Sequence, residues 1–399
     1  MEETTVGNIT IRHSDLKVNS VTIDGNDMRS LIYSGFDSIA IRFQTRRPDD
    51  ATTTLPDHYT RIFHTVFSAV DELHTSNRGC LAAFLSTFLF DSVTPLWNRF
   101  LGNGQHMLAI QLWKQVLTLA YAWEHNTGKR VHKGSPYAFI AYTYLMTGDL
   151  DAAFSYIYNA IEEDKRLNDI CPEVNYPAEA PVYLTATLNP SRRNVMYPMV
   201  SEVRSALEAH LDSYRREFRS SLTMQQFDER FLQNVSLETI KYFFVFTFWA
   251  IFEHQRKVGR DLMQNDFSKL KNANWLFALC LVIDKLLHSH PQYTGKFIGS
   301  EIANYVDHKG LMSRSDLNRL RDQVNVQQAI PDRLLPQLLS LSLVYNGVPV
   351  SREIQCLFAA WNLRNFAAHN IQIQNVIGTS FEDIVRVLLY DIFLIIEEY

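Results

Sequence analysis

The spacing of the apolar residues changes near residue 57, and this change limits the fold more than any other feature of the sequence. Before it, the segments NITIRH, LKVNSVTIDGND and SIAIRFQ alternate apolar with polar residues. A period of two is typical of strands, and the Asp24-Gly25 pair inside the second segment predicts a tight turn. After residue 57 the apolar residues recur every three or four positions, as on helices. The sequence therefore predicts a mainly α protein with a small β-containing segment over residues 1–56.

Length and charge narrow the function classes. The chain has 399 residues, of which 46% are hydrophobic and 20% charged, and its formal net charge is -5. A single hydrophobic core rarely grows to this length, so two or more domains are expected. A negative net charge excludes a globally basic nucleic-acid binder. Any nucleic-acid site must therefore be a local patch.

Prolines divide the helical part of the chain. Residues 169–198 contain Pro172, Pro177, Pro181, Pro190 and Pro198. Because proline interrupts helices, this stretch is interpreted as a linker or surface excursion. It separates a helical region over 57–168 from another over 199–399. In the first region the predicted helices cover 59–73, 80–101, 105–123, 137–146 and 150–166. The last predicted helices of the second region cover 333–345, 352–373 and 381–398.

The segment YAFIAYTYLMTGDLDAAFSYIYNAI carries small residues at regular offsets. The small residues are Ala141, Gly148, Ala153 and Ala160, and Tyr144 lies between the first two. Small residues at these offsets let two helices of a hairpin approach closely. The segment resembles a tetratricopeptide repeat, although it has Lys165 where that repeat usually has proline. Such hairpins serve as scaffold or as a groove for a protein partner, and both roles stay open.

The cysteines and histidines give no metal pattern. Cys80, Cys171, Cys280 and Cys356 are far apart, without a CxxC pair, which predicts neither a disulfide framework nor a zinc site. His288 and His290 are two apart and are interpreted as a solvated helix end. No cofactor is expected. The N-terminus lacks the features of a secretory signal, and the apolar segments 240–252 and 385–396 are short for a bilayer. The expectation is a cytoplasmic protein without a membrane partner.

The stretch CLFAAWNLRNFAAHNIQI places Arg364, Asn365 and His369 on an otherwise apolar predicted helix. Arginine offers a planar set of donors to phosphate oxygens, and histidine can exchange a proton near neutral pH. An arginine followed by a histidine after four to six residues also occurs at Arg99 and at Arg204. The first of these matches crosses a glycine turn, and neither has asparagine after the arginine.

The Arg364 pattern resembles the R-x(4-6)-H motif of the higher eukaryotes and prokaryotes nucleotide-binding (HEPN) superfamily. The resemblance covers about the last third of the chain. It implies a C-terminal helical bundle and a metal-independent endoribonuclease that leaves 2′,3′-cyclic phosphate and 5′-hydroxyl ends on single-stranded RNA. In that reading Arg364 binds the phosphate, His369 transfers protons, and Asn365, one turn before it, orients the imidazole. The resemblance also implies a homodimer with a composite site, and a role in antiviral defence or as a toxin.

Two other functions stay open from the sequence. One is a non-enzymatic helical interaction protein, in which the hairpins bind a partner and the C-terminal bundle forms a dimer. The other is a HEPN fold that binds nucleotide or RNA without cleaving it. A local basic rim for RNA, or else ordinary solvated faces, is expected at Arg314, Arg319, Arg321, Arg352 and Arg386.

Overall fold

The computed structural model describes residues 1–14, 17–39, 55–178, 180–262, 266–324, 336–369 and 374–399. Side chains are described over the same ranges except at 258–262, 266, 321, 323–324, 366–369 and 374–379. The chain divides into two compact units. The first unit comprises Met1–Thr185 with Arg193–Met196, and the second comprises Ala186–Arg192 with Tyr197–Tyr399. The protein is mainly helical with a small amount of strand, as predicted.

Among the described residues, the first unit begins with an antiparallel sheet whose strands follow one another in space as in sequence. The strands are β1 (Glu2–Val6), β2 (Ile9–Ser14), β3 (Lys17–Ile23) and β4 (Asn26–Asp27). Asp24 and Gly25 have φ angles of 50° and 75°, as a tight type I′ hairpin turn requires. The turn predicted at this pair is confirmed. The third predicted strand is wrong where it can be checked, since Ser38 and Ile39 are helical. A short apolar run fits either period, and the rest of that segment lies outside the described residues.

Helices make up the remainder of the first unit. They are α1 (Met28–Tyr33), α2 (Asp57–Thr75), α3 (Gly79–Asp91), α4 (Thr94–Gly102), α5 (His106–Thr127), α6 (Gly134–Thr147) and α7 (Leu150–Ile170), with α8 (Pro181–Ala186) at the boundary of the unit. The single helix predicted over 80–101 is in fact two. The break is explained by Pro95, because proline is tolerated in the first turn of a helix and it lies near the start of α4.

Helices α6 and α7 form the hairpin that the small-residue pattern predicts. Gly148 between them adopts a left-handed conformation with φ 78°. Asp149 then caps α7 by accepting a hydrogen bond from the backbone amide of Ala152 at 3.1 Å. Ala141 and Ala153 are fully buried, which allows the close approach of the two helices. The hairpin itself is shown, whereas the likeness to the tetratricopeptide family stays a prediction.

A disulfide in the first unit corrects the interpretation of the cysteines. Cys80 in the first turn of α3 is bonded to Cys171 just after α7, with 5.4 Å between the Cα atoms. The two residues are 91 positions apart, and spacing along the chain could not show that these helix ends meet. The prediction of no disulfide is therefore wrong. The cysteine argument for a reducing compartment is lost with it, since disulfides persist mainly in oxidising surroundings.

The second unit is a helical bundle. Its elements are α9 (Tyr197–Phe218), α10 (Met224–Phe227) with the π turn Asp228–Leu232, a 3-10 turn (Val235–Leu237), α11 (Glu238–Leu262), α12 (Asp266–Ser289), α13 (Ile298–His308), α14 (Arg314–Val324), the hairpin β5 (Val344–Tyr345) and β6 (Val348–Pro349), α15 (Arg352–His369) and α16 (Gln374–Ile396). Helix α16 packs against α9, α12 and α15. Ile384, Leu388 and Ile392 are among its fully buried residues. Helix α16 is therefore buried on most sides, and helices of the same unit cover it.

Two boundaries in the second unit differ from the prediction. The helix predicted over 333–345 is wrong at its end, where Asn346 and Gly347 have φ angles of 51° and 77° and turn a short hairpin. An Asn-Gly pair is a strong hairpin signal, and it outweighs the apolar spacing there. Helix α16 also begins earlier than residue 381, because its backbone is helical from Gln374. Thr379 and Glu382 have the spacing of a capping box, but they lie inside the helix and do not mark its start.

Two stretches of the described residues are long and apolar enough to cross a bilayer by length and composition alone. They cover Gly79–Gly102 and Val235–Lys257, and 67% and 56% of the respective windows are buried within the protein. The first stretch contains both α3 and α4. Core helices of soluble proteins pass the same test, so this finding is weak support for a membrane location.

Candidate functional site

Arg364 lies on the side of α15 that faces α12. Its Nη2 donates a hydrogen bond to Oδ2 of Asp284 on α12 at 3.2 Å. The side chains of Arg364 and Asp284 are 32% and 20% exposed, so the pair is partly accessible to a ligand. The Nε of Arg364 is buried and has no hydrogen-bond partner among the described residues. Among the described residues, the guanidinium is thus held from one side, by Asp284.

The two other predicted site residues follow along the same helix. Asn365 is exposed. Asn362, three residues earlier, is buried, and its side-chain amide donates a hydrogen bond to the Phe358 carbonyl at 2.7 Å. The backbone of α15 is helical as far as His369. Residues 365 and 369 are therefore one helical turn apart, as the predicted contact between them requires. The side chain of His369 lies outside the described residues, so that contact stays a prediction.

A histidine and a buried glutamate lie beside the Arg364 pair. His288 is four residues after Asp284, one turn along α12 on nearly the same face. Its Nδ1 lies 2.8 Å from Oε1 of Glu301 on α13. The side chain of His288 is 54% exposed, whereas that of Glu301 is only 2% exposed. Burial raises the pKa of Glu301, and the hydrogen bond from His288 opposes this rise.

The structure therefore corrects the interpretation of His288 and His290 as a solvated helix end. His290 is buried, and its ring stacks on Tyr293 with 4.0 Å between the ring centroids. His288 is exposed but is tied to α13 through Glu301. Neither Asp284 nor Glu301 is marked by a motif, since each meets its partner only through the packing of helices.

The start of α13 closes this region against α15. Gly299 faces the ring of Trp361, and a Cβ added at Gly299 would lie 3.6 Å from the indole. Trp361 is half-buried, so its ring serves as a packing surface for the start of α13. Gly295 lies against Glu301 in the same way, because an added Cβ would come within 3.0 Å of the Glu301 Cγ. These contacts hold α13 and its glutamate close to the Arg364 pair.

A buried acid lies in the bundle interior near the same helices. Asp391 on α16 is fully buried, and neither carboxylate oxygen has a partner among the described residues. Burial raises its pKa well above the ordinary value, so the neutral acid is favoured. Burial raises the pKa of Cys280 on α12, and the positive charge of Arg364 opposes this rise. Cys280, Asp284 and His288 are spaced four residues apart along α12.

The predicted basic rim is largely neutralised by neighbouring carboxylates. Arg352 pairs with Glu217 at 3.1 Å, and Arg386 pairs with Asp383 at 2.9 Å. Arg319 lies 3.9 Å from Asp316. The side chain of Arg321 is outside the described residues, and Arg314 is exposed at the start of α14. Most of these arginines are therefore weak candidates for an RNA surface.

The other two arginine-to-histidine matches differ from Arg364. Arg204 is nearly buried and makes a tight pair with Asp228 at 2.6 Å, which is a structural role. Arg99 lies in α4, which ends at Gly102, whereas His106 begins α5. The prediction that this match cannot lie within one helix is confirmed.

Searches against family models, curated proteins and solved structures found no match to this chain. The resemblance to the HEPN superfamily is therefore neither supported nor contradicted by them. Any function must be argued from the site itself. Within the part of the chain that the structure describes, no group of three or more histidines, cysteines or acidic residues is placed to hold a metal ion.

The first unit contains a cavity of about 430 Å³ that sequence reasoning missed. His132 lines one side of the cavity. Its Nδ1 lies 3.3 Å from the Thr87 hydroxyl, and its Nε2 lies 3.2 Å from Oδ1 of Asp164. Asp91 accepts a hydrogen bond from Ser135 at 2.9 Å on another side. The carboxylates lie near the amino-terminal end of α6, where they compensate the helix dipole. Their hydrogen bonds within the wall are sufficient to explain these residues as structural.

Proposed function

We propose that the second unit is a metal-independent endoribonuclease of the HEPN type, acting on single-stranded RNA at Arg364, Asn365 and His369. One observation carries the proposal. Arg364 is held half-exposed by a carboxylate on a neighbouring helix, and the exposed Asn365 follows it on a helix that reaches His369. A phosphate of RNA could reach both groups from solvent, as the proposal requires.

The chemistry requires groups of these types. The 2′-hydroxyl of RNA loses a proton and attacks the adjacent phosphorus, and the bond from phosphorus to the 5′-oxygen breaks. A base accepts the first proton, an acid supplies one to the leaving oxygen, and a cation stabilises the crowded phosphorane. Arg364 supplies the positive charge, because guanidinium stays protonated and binds two phosphate oxygens at once. His369 exchanges a proton, and Asn365 orients it.

The resemblance suggests how a second proton-transfer group is supplied. Two copies facing across a two-fold axis would place two histidines at one composite site, so a homodimer forms part of the proposal. A role in antiviral defence or as a toxin is proposed on the same resemblance. The helical hairpins of the first unit would then bind an activator or a protein partner.

Cleavage of generic single-stranded RNA in EDTA tests the proposal. The wild-type protein is compared with Arg364→Ala and His369→Ala, and the product ends are identified by mass spectrometry. We expect cleavage that survives chelation, leaves 2′,3′-cyclic phosphate ends, and falls by about 10²- to 10⁴-fold in each variant.

Two matched variants control for charge and for histidine content. Arg215→Gln removes another arginine of the second unit, which is 44% exposed, and His125→Gln removes an exposed histidine of the first unit. Both should cleave like the wild type. RNA binding without cleavage by the wild type would support the binding-only alternative. Neither binding nor cleavage would leave the interaction scaffold as the better reading.

A further inference from the structure

We infer that His288, held by Glu301, is a second proton-transfer residue of the same site, so that one chain carries both histidines. This inference rests on the ribonuclease proposed above. It differs from the composite site in one respect, because the second imidazole comes from α12 of the same chain and not from another copy.

His288 lies on α12, the helix whose Asp284 binds Arg364. Asp284, which binds Arg364, and His288 are four residues apart, which is a rise of about 6 Å along α12. Residues at this spacing are neighbours on a helix surface. His288 therefore lies about one helical turn along α12 from the residue that binds Arg364.

The orientation of the imidazole suits proton transfer. Its Nδ1 is engaged by Glu301 at 2.8 Å, and the ring is more than half exposed. Among the described residues no partner of Nε2 is found. A carboxylate that accepts from Nδ1–H leaves the lone pair on Nε2 and stabilises the imidazolium that forms when Nε2 takes a proton.

The burial of Glu301 separates this pair from an ordinary surface ion pair. Exposed partners gain little from pairing, and both usually remain in water. Here the carboxylate is almost fully buried and its second oxygen has no partner in the described part of the chain, a position that costs free energy. A buried carboxylate that orients an exposed imidazole is the arrangement of a general base.

The proposed step balances without a co-reactant. Nε2 of His288 takes the proton of the 2′-hydroxyl, and O2′ forms a bond to phosphorus. The bond from phosphorus to O5′ breaks, and protonated His369 gives its proton to O5′. The products are a 2′,3′-cyclic phosphate and a 5′-hydroxyl. Glu301 is a positioning residue, and Arg364 stabilises the phosphorane.

His288→Gln and Glu301→Gln test the inference in the full-length protein. We expect His288→Gln to lower kcat by about 10²- to 10⁴-fold while the Kd for a non-cleavable 2′-O-methyl RNA stays unchanged. Glu301→Gln should lower kcat by about 10- to 100-fold. KM should stay unchanged in this variant, because Glu301 orients the imidazole and does not touch RNA. Besides Glu301, a charged residue near His288 on its own helix is Asp284, which is paired with Arg364 of α15.

His308→Gln removes an exposed histidine at the end of α13 and should leave kcat unchanged. If His288→Gln has a lower melting temperature than the wild type, His288→Gly with added imidazole replaces it, and restored cleavage supports the inference. Cleavage by His288→Gln within about threefold of the wild type, while His369→Ala is inactive, overturns the inference and leaves the ribonuclease intact. No cleavage by the wild type overturns both.

Discussion

Arg364 on α15 and Asp284 on α12 are joined by a 3.2 Å hydrogen bond across two helices of the second unit. The pair is only partly buried, so it contributes little to folding, about 0–1 kcal/mol. The pair matters more because it fixes the orientation of the partly exposed guanidinium. If the ribonuclease proposal is right, the phosphate-binding group is fixed before RNA arrives.

Asp284→Asn tests this fixing role. The change removes the charge that holds Arg364 and should lower the cleavage rate about 10²-fold, because a small displacement of a positioning contact is costly to catalysis. The melting temperature should change little. Asp383→Asn is the matched control, since it also removes an acid paired with an arginine, Arg386, at 2.9 Å. A large loss of stability in Asp284→Asn would show instead that the pair is a structural contact.

The buried acid Asp391 predicts how stability depends on pH. Its pKa is raised by burial in the folded protein, so its contribution is most favourable below the unfolded value of about 3.9 and is lost as pH rises towards the folded pKa. We expect Asp391→Asn to remove this pH-dependent loss of stability, because asparagine does not ionise. The free energy of unfolding of the variant, relative to wild type, should increase between pH 4 and pH 8 by at least about 1 kcal/mol. Urea denaturation across that range measures it, and parallel curves for the two proteins would contradict it.

Gly134 at the start of α6 leaves no room for a side chain. An added Cβ would lie 2.6 Å from Cε1 of His132 and 2.9 Å from Oδ1 of Asp164. Gly134→Ala should therefore destabilise the first unit by about 1–3 kcal/mol, which thermal or urea unfolding can measure. Gly102→Ala is the control, because no atom lies within 4 Å of its added Cβ, and it should be near neutral. Equal stability of both variants would refute the packing argument.

The bond between Cys80 and Cys171 predicts sensitivity to reductant. It closes a long loop, so reduction should lower the free energy of unfolding by about 2–5 kcal/mol. Melting with and without dithiothreitol measures the effect, and a Cys80→Ser, Cys171→Ser double variant should not respond. Thiol counting under denaturing conditions gives an independent answer. Four free thiols in the oxidised protein would show that the bond does not form.

The local features of the fold were predictable because they depend on neighbouring residues. The Asp24-Gly25 turn and the hairpin around Gly148 are of this kind, and both appear where the sequence indicates them. The hairpin at Asn346 carried an equally local signal, which the apolar spacing of 333–345 obscured. The start of α16 was misplaced because the helix runs through Gly378, a residue of low helix propensity.

The features that define the site were not predictable from one sequence. Asp284 and Arg364 are 80 residues apart, and His288 and Glu301 are 13 apart on different helices. The disulfide joins residues 91 positions apart. Side chains of these types occur all along the chain, and only the packing of α12, α13 and α15 selects which of them meet. The sequence identified Arg364 by its polar neighbour but gave no sign of the carboxylate that holds it.

The regular placement of Cys280, Asp284 and His288 along α12 has a mechanical consequence. All three residues belong to one helix. Cys280 lies near the buried Asp391, Asp284 binds Arg364, and His288 contacts Glu301. A displacement of α12 along its axis by a fraction of a turn would break both polar contacts at once. Any event that shifts this helix would therefore switch the whole site together, with no intermediate state in which only one contact is lost.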